Sequence, residues 1–168
     1  MVTGMAERLI YPAPGNHARL ALREEPSAPP IMYQTWSDLL FLHWEWDAAE
    51  IQRALPPGLF VDTFGGKAYI AVTPFFMKNV RASFLPEIPG TANFMELNVR
   101  TYVYDRNGDA GVWFYSLDCN QSLAALLART FFSLPYHNAA MHSRERSDMI
   151  EYLCQRKGAP EKAGCEEE

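Results

Sequence analysis

Between Met95 and Cys119 the chain spells a β-hairpin, and this segment restricts the fold more than any other. Met95 to Asp105 (MELNVRTYVYD) alternates in character. Leu97, Val99, Thr101 and Val103 fall on one face, and Glu96, Asn98, Arg100, Tyr102 and Tyr104 on the other, because successive side chains of a strand point to opposite sides. Asn107-Gly108 then offers the positive-φ residues that a tight turn between strands requires. Ala110 to Cys119 (AGVWFYSLDC) is the returning strand. A chain with this hairpin at its centre is organised around antiparallel sheet.

The flanking sequence adds further strands and only short helices. Trp36 to Trp46 (WSDLLFLHWEW) is apolar and aromatic and reads as one buried strand. Asp47 caps a helix from Ala48 to Leu55, with Glu50 three residues after the cap, as in a capping box. Pro56-Pro57-Gly58 stops it. Phe60 to Asp62 is a short strand, and Gly65-Gly66 a turn. Lys67 to Met77 is a strand that Pro74 must bend or hold at an edge. Residues 82–93 form a loop. Ser122 to Phe132 (SLAALLARTFF) is the strongest helix, with Asn120 or Ser122 as its cap. Strands near Ala139–Ser143 and Met149–Leu153 follow. Strands outnumber helices, and the order of elements is α+β. Residues 1–30, rich in Pro, Ala and Arg, read as a flexible arm, and residues 31–168 as a single domain.

Composition narrows the partners. The chain has 168 residues, enough to remove about 70% of the unfolded surface from water. Net charge is −5, and no dense Lys/Arg cluster appears, which argues against nucleic acid. No apolar run approaches the ~20 residues of a membrane helix. Cys119, Cys154 and Cys165 make no CxxC pair, so they read as reduced thiols in the cytoplasm.

Several side chains could do chemistry. The polar face of the Met95–Asp105 strand either meets solvent, as in a one-sided sheet, or lines a polar interior. His43 and Glu45 share a strand face and could serve acid–base work; the plainer reading is a half-buried histidine between Trp44 and Trp46. Ser116 and Asp118 also share a face, but no nucleophile-elbow sequence surrounds the serine. His43, His137 and His142 lack metal-binding spacing. No metal and no cofactor is expected.

Three long segments together carry a resemblance: QTWSDLLFLHWEWDAAEIQRALPPGLFVDTFGGKAYIAVTPFFM, FMELNVRTYVYDRNGDAGVWFYSLD and LAALLARTFFSLPYHNAAM. From about Met32 to about Gly164 the chain resembles the YqjF-like family of uncharacterised bacterial proteins, which is similar in turn to acetoacetate decarboxylase. The resemblance implies a mostly antiparallel β-barrel with a few short outer helices and a cavity. In the decarboxylase, a helix ends in a Pro-Lys-Lys turn whose first lysine forms a Schiff base. Here Pro135 is kept, and Tyr136 and His137 stand at the lysine positions. Neither offers the primary amine that imine chemistry needs.

The resemblance also implies a pocket lined by Glu96, Asn98 and Arg100, with Tyr136 and His137 at its rim and His43 as a further ligand contact. Arg100 would hold an anionic group. Glu96, His137 and Tyr136 are the catalytic candidates, Glu96 through desolvation of its carboxyl. The expected partner is a small organic molecule. Relatives continue for some tens of residues past Glu168, which implies missing closing strands, an open sheet edge and self-association through it. An enzyme, a non-catalytic binding protein and an inactive fragment all remain consistent with this scaffold.

Overall fold

The computed structural model describes residues 11–87, 90–147 and 149–158. The elements in order are α1 (Asn16–Ala21), β1 (Met32–Ser37), β2 (Leu42–Trp46), α2 (Ala48–Ala54), β3 (Leu59–Val61), β4 (Ala68–Ala82), β5 (Phe94–Asp105), β6 (Ala110–Cys119), α3 (Ser122–Phe132), β7 (Tyr136–Arg146) and β8 (Met149–Arg156). The strand order is β1-β4-β5-β6-β7-β8, with β2 beside β4 and β3 beside β5. The architecture is the expected α+β.

Contacts divide the chain into two compact units. One contains the described residues before Pro29 with Trp44–Ile70 and Thr101–Trp113. The other contains Pro29–His43, Ala71–Arg100 and the described residues from Phe114 onward.

In the first unit, Asp47 caps α2 as expected, its Oδ1 accepting from the Glu50 amide at 2.9 Å. The helix lays Ile51 and Leu55 against Ala68 and Val103. The Gln52 side chain bridges Leu59 and Val61, donating to one carbonyl and accepting from one amide at 2.9 Å each, which fixes β3. The hairpin turn forms at Asn107-Gly108. Gly108 sits at φ 83, and Asp105 Oδ1 accepts from the amides of Asn107 and Asp109. Within the segment read as an arm, α1 holds Arg19, which donates to both carboxylate oxygens of Asp62.

In the second unit, Phe75, Met77, Phe94, Cys119 and Ala125 form one buried cluster, with Tyr136 packed against it. Met95, Ala139 and Met141 form another. Phe94 and Met95 are neighbours on β5, so the two clusters occupy opposite faces of the sheet.

The sequence reading of Trp36–Trp46 needs correction. It is two strands, β1 and β2, with Asp38 directly after β1 in the left-handed region at φ 54. Nor is it buried. Trp36, Trp44 and Trp46 are each about half exposed. Aromatic content is a poor guide to burial when, among the described residues, no element covers the strand. Pro74 behaves as its missing donor dictates. The β1 ladder on β4 ends at Ser37–Phe76, and the Pro74 carbonyl accepts from the Leu40 amide.

Helix α3 has its expected bounds, but Gln121 caps it, accepting from the Leu123 amide. Asn120 accepts instead from the Met95 amide at 2.9 Å. Strands β7 and β8 are longer than their sequence patterns, pairing from Ala139–Arg156 to Arg146–Met149.

Candidate functional site

The polar face of β5 is buried where it runs through the second unit. Glu96 and Asn98 are 4% and 3% exposed, which rules out the solvent reading for these two side chains. Tyr136 is brought to it by topology. Strands β6 and β7 are parallel, with Leu117 opposite Tyr136, Asp118 opposite His137 and Cys119 opposite Asn138. A parallel pair needs a long crossover, and α3 provides it. The helix ends at Ser133, which takes the left-handed conformation at φ 53. Pro135 follows, its carbonyl accepting from the Leu117 amide. This sets the phenol of Tyr136 over β5, where it donates to Glu96 Oε2 at 2.7 Å.

Burial pushes the Glu96 carboxyl up to about 7, against hydrogen bonds from Tyr136 and Asn98 that favour its ionised form. Tyr136 is raised far above an ordinary phenol, by burial first and then by the Glu96 charge. Burial also raises the Cys119 thiol. The carboxyl therefore titrates near neutrality while hydrogen-bonded to a phenol that stays protonated.

Around this pair, buried polar atoms lack hydrogen-bond partners: Asn98 Oδ1, Thr73 Oγ1, Asn138 Oδ1 and Arg100 Nε. Their strand positions place them together. Asn98 and Arg100 continue the face of Glu96; Thr73 alternates with Phe75 and Met77; Asn138 alternates with Tyr136. The Arg100 guanidinium lies 5.5 Å from the Phe41 ring centroid. Buried polar atoms are nearly always paired, so a cluster of unpaired ones on one face can accept hydrogen bonds and offer one. Thr73 and Asn138 were not anticipated from the sequence. Thr73 was legible only as part of an apolar alternation, and Asn138 required the parallel register.

The other candidates stand elsewhere. His137 follows Tyr136 in the strand and so faces away from Glu96, beside Asp118. Asp118 is 4% exposed, and Arg156 donates to both its oxygens at 2.7 Å; that pair also leaves no free carboxylate to orient a nucleophilic Ser116. His43 is exposed on β2 and stacks on Phe41, ring centroids 6.4 Å apart. Glu45 bonds Lys67 at 2.6 Å. A hollow of about 280 Å³ is lined by Met77, Phe94 and Asn120 among others; Glu96, Asn98 and Arg100 do not line it. Among the described residues, no group of three or more His, Cys, Asp and Glu side chains could hold a metal. No helix there is long and apolar enough to cross a membrane. Lys67, Lys78 and Lys157 are all exposed, and Lys162 and Cys165 lie outside the described residues.

The fold is acetoacetate decarboxylase-like. The acetoacetate decarboxylase of Legionella pneumophila superposes with a TM-score of 0.56 at 15% identity, over 69% of this chain and 41% of that one. An acetoacetate decarboxylase-like enzyme from Sphingomonas wittichii RW1 gives 0.58 at 18% identity, over 78% and 55%. The enduracididine biosynthesis enzyme MppR gives 0.53 at 15%, over 73% and 45%. Within that class, residues 33–167 match the DUF2071 model, described as an uncharacterized conserved protein, and the chain belongs to this family. The uncharacterized protein YqjF of Bacillus subtilis (strain 168) is 47% identical over 133 residues, 79% of this chain and 54% of the relative. The chain thus spans about half the length of that curated relative.

Proposed function

We propose that this protein binds a small, anionic organic molecule on the Glu96 face of β5, and that any chemistry there proceeds without an imine. One observation supports the reading above the rest. Asn98 is 3% exposed, yet its Oδ1 has no partner. Leaving such an acceptor unpaired costs about 1–3 kcal/mol, which a ligand donor would recover. Arg100, with an unpartnered Nε, is the group suited to an anion. A solved structure of similar fold supports the ligand class: MppR is complexed with the condensation product of pyruvate and imidazole 4-carboxaldehyde. The catalytic lysine of the decarboxylase is replaced by Tyr136 and His137 in this reading.

Two measurements test it. A thermal-shift and calorimetric screen of acetoacetate, pyruvate, phenylpyruvate and benzoate should find a binder, and Arg100→Ala should weaken it roughly 10- to 100-fold. Unchanged affinity in Arg100→Ala removes the anion clamp. Borohydride treatment in the presence of acetoacetate should leave the mass of the protein unchanged. A reduced adduct would restore imine chemistry and reject the reading.

A further inference from the structure

Glu96 and Tyr136 make an arrangement that does more than hold a ligand. A buried carboxyl and a phenol share a bond of 2.7 Å, the phenol packed against a cluster of apolar side chains. Next to them, Asn98 hydrogen-bonds Glu96 through its side chain. A carboxylate accepts, so Asn98 donates with its amide nitrogen, which leaves Oδ1 as the unpartnered atom. This orphan acceptor asks for a donor on the ligand. Arg100, one step further along the same face, asks for an anion. A compound with a carboxylate and, a short distance away, an oxygen that can become a hydroxyl answers both.

Resting on the binding reading above, we infer that Glu96 and Tyr136 are a proton-transfer pair that interconverts the keto and enol forms of a small 2-oxo acid. The carboxylate of the ligand faces Arg100, and its enol hydroxyl donates to Asn98 Oδ1.

The step balances without any co-reactant. The Glu96 carboxylate takes a proton from the carbon next to the ketone. That C–H pair becomes the new C=C bond, and the C=O π pair moves onto oxygen. The oxygen takes the proton of the Tyr136 hydroxyl. The proton gained by Glu96 passes back to the Tyr136 oxygen along their existing hydrogen bond. The pair ends as it began, and one proton has moved from carbon to oxygen. Because burial disfavours a free phenolate at Tyr136, the transfers run together. A carboxyl titrating near neutrality suits a base that must both accept and release a proton.

Thr73 and Asn138, whose side-chain oxygens are also orphaned, lie on the same face of the sheet. His137 has no part in the cycle, since its strand position points it to the opposite face.

Deuterium exchange tests the pair directly. Pyruvate and phenylpyruvate are incubated with the protein in D₂O, and loss of the C3 proton signal is followed by NMR, with binding of the same compounds measured by calorimetry. The wild-type protein should speed exchange about 100-fold or more over buffer. Tyr136→Phe and Glu96→Gln should lose this while still binding the compound, and His137→Ala should keep it. Glu96→Gln preserves size and hydrogen bonding and settles the question if Tyr136→Phe fails to fold by circular dichroism. Wild-type binding without exchange overturns the proton-transfer role alone. Exchange at wild-type rate in either dyad variant overturns it too. Absence of binding by the wild-type protein overturns the reading beneath it.

Discussion

Two carboxylates in the second unit are buried alike and treated oppositely. Glu96 and Asp118 are each 4% exposed. Asp118, on one face of the sheet, receives both arms of the Arg156 guanidinium, a bidentate, charge-matched contact. Glu96, on the other face, receives a neutral phenol and an amide. Asp118 meets a matching cation, whereas burial among neutral donors leaves the Glu96 carboxyl raised to about 7 and poised to change state. Equal accessibility thus conceals unequal electrostatics, and the neutral surroundings belong to the pair proposed above for proton transfer.

The largest expected effect is the pH dependence that Glu96 confers. The Glu96 carboxyl sits at about 7 in the folded protein against an ordinary 4.5. Its folded value is raised, so its contribution to stability is complete below pH 4.5 and is lost as pH rises through 7. The loss amounts to about 3 kcal/mol. Urea melts of wild type and Glu96→Gln at pH 5 and pH 8 should show the wild type losing about 2.5 kcal/mol more than the variant, since part of the loss has already occurred at pH 5. Equal losses in both proteins break the comparison.

Next in size, Arg156→Ala leaves Asp118 buried without its cation and should cost roughly 2 kcal/mol, less than a fully buried pair because the guanidinium is partly exposed. Adding Asp118→Asn should recover most of it. If the double variant is no better than the single one, Asp118 is not held by charge matching. Tyr136→Phe removes a phenol hydrogen bond to a carboxyl that is mostly ionised at pH 8 and should cost about 1.5 kcal/mol there. It should also move the Glu96 carboxyl further up, since a donor to its ionised form is gone; carbon NMR of the carboxyl reads this directly. The smallest effect belongs to Arg19→Ala in the first unit, where a partly exposed arginine pairs with Asp62; it should cost under about 1 kcal/mol and vanish in high salt.

What could be read in advance followed the range of the forces involved. The β5–β6 hairpin, the α2 cap and α3 are written in residues close together in the chain, and each formed where its pattern placed it. Glu96, Asn98 and Arg100 were found as a face because alternation is local. The pairing of Glu96 with Tyr136 was not, because it depends on how α3 returns the chain parallel to β6, forty residues after Glu96. Once Tyr136 opens β7, alternation turns its neighbour His137 to the other face. Trp36–Trp46 misled for the opposite reason. Its composition promised burial, but burial depends on a covering element that composition does not supply.

That exposed segment has a practical consequence for anyone following this protein in solution. Of its four tryptophans, Trp36, Trp44 and Trp46 are about half open to solvent in the folded state. Its intrinsic fluorescence is therefore a lamp on the β1–β2 surface rather than on the core. Unfolding will change the colour of that light little, so melts belong to circular dichroism. A shift of the emission to shorter wavelength will announce that something has come to lie across those strands.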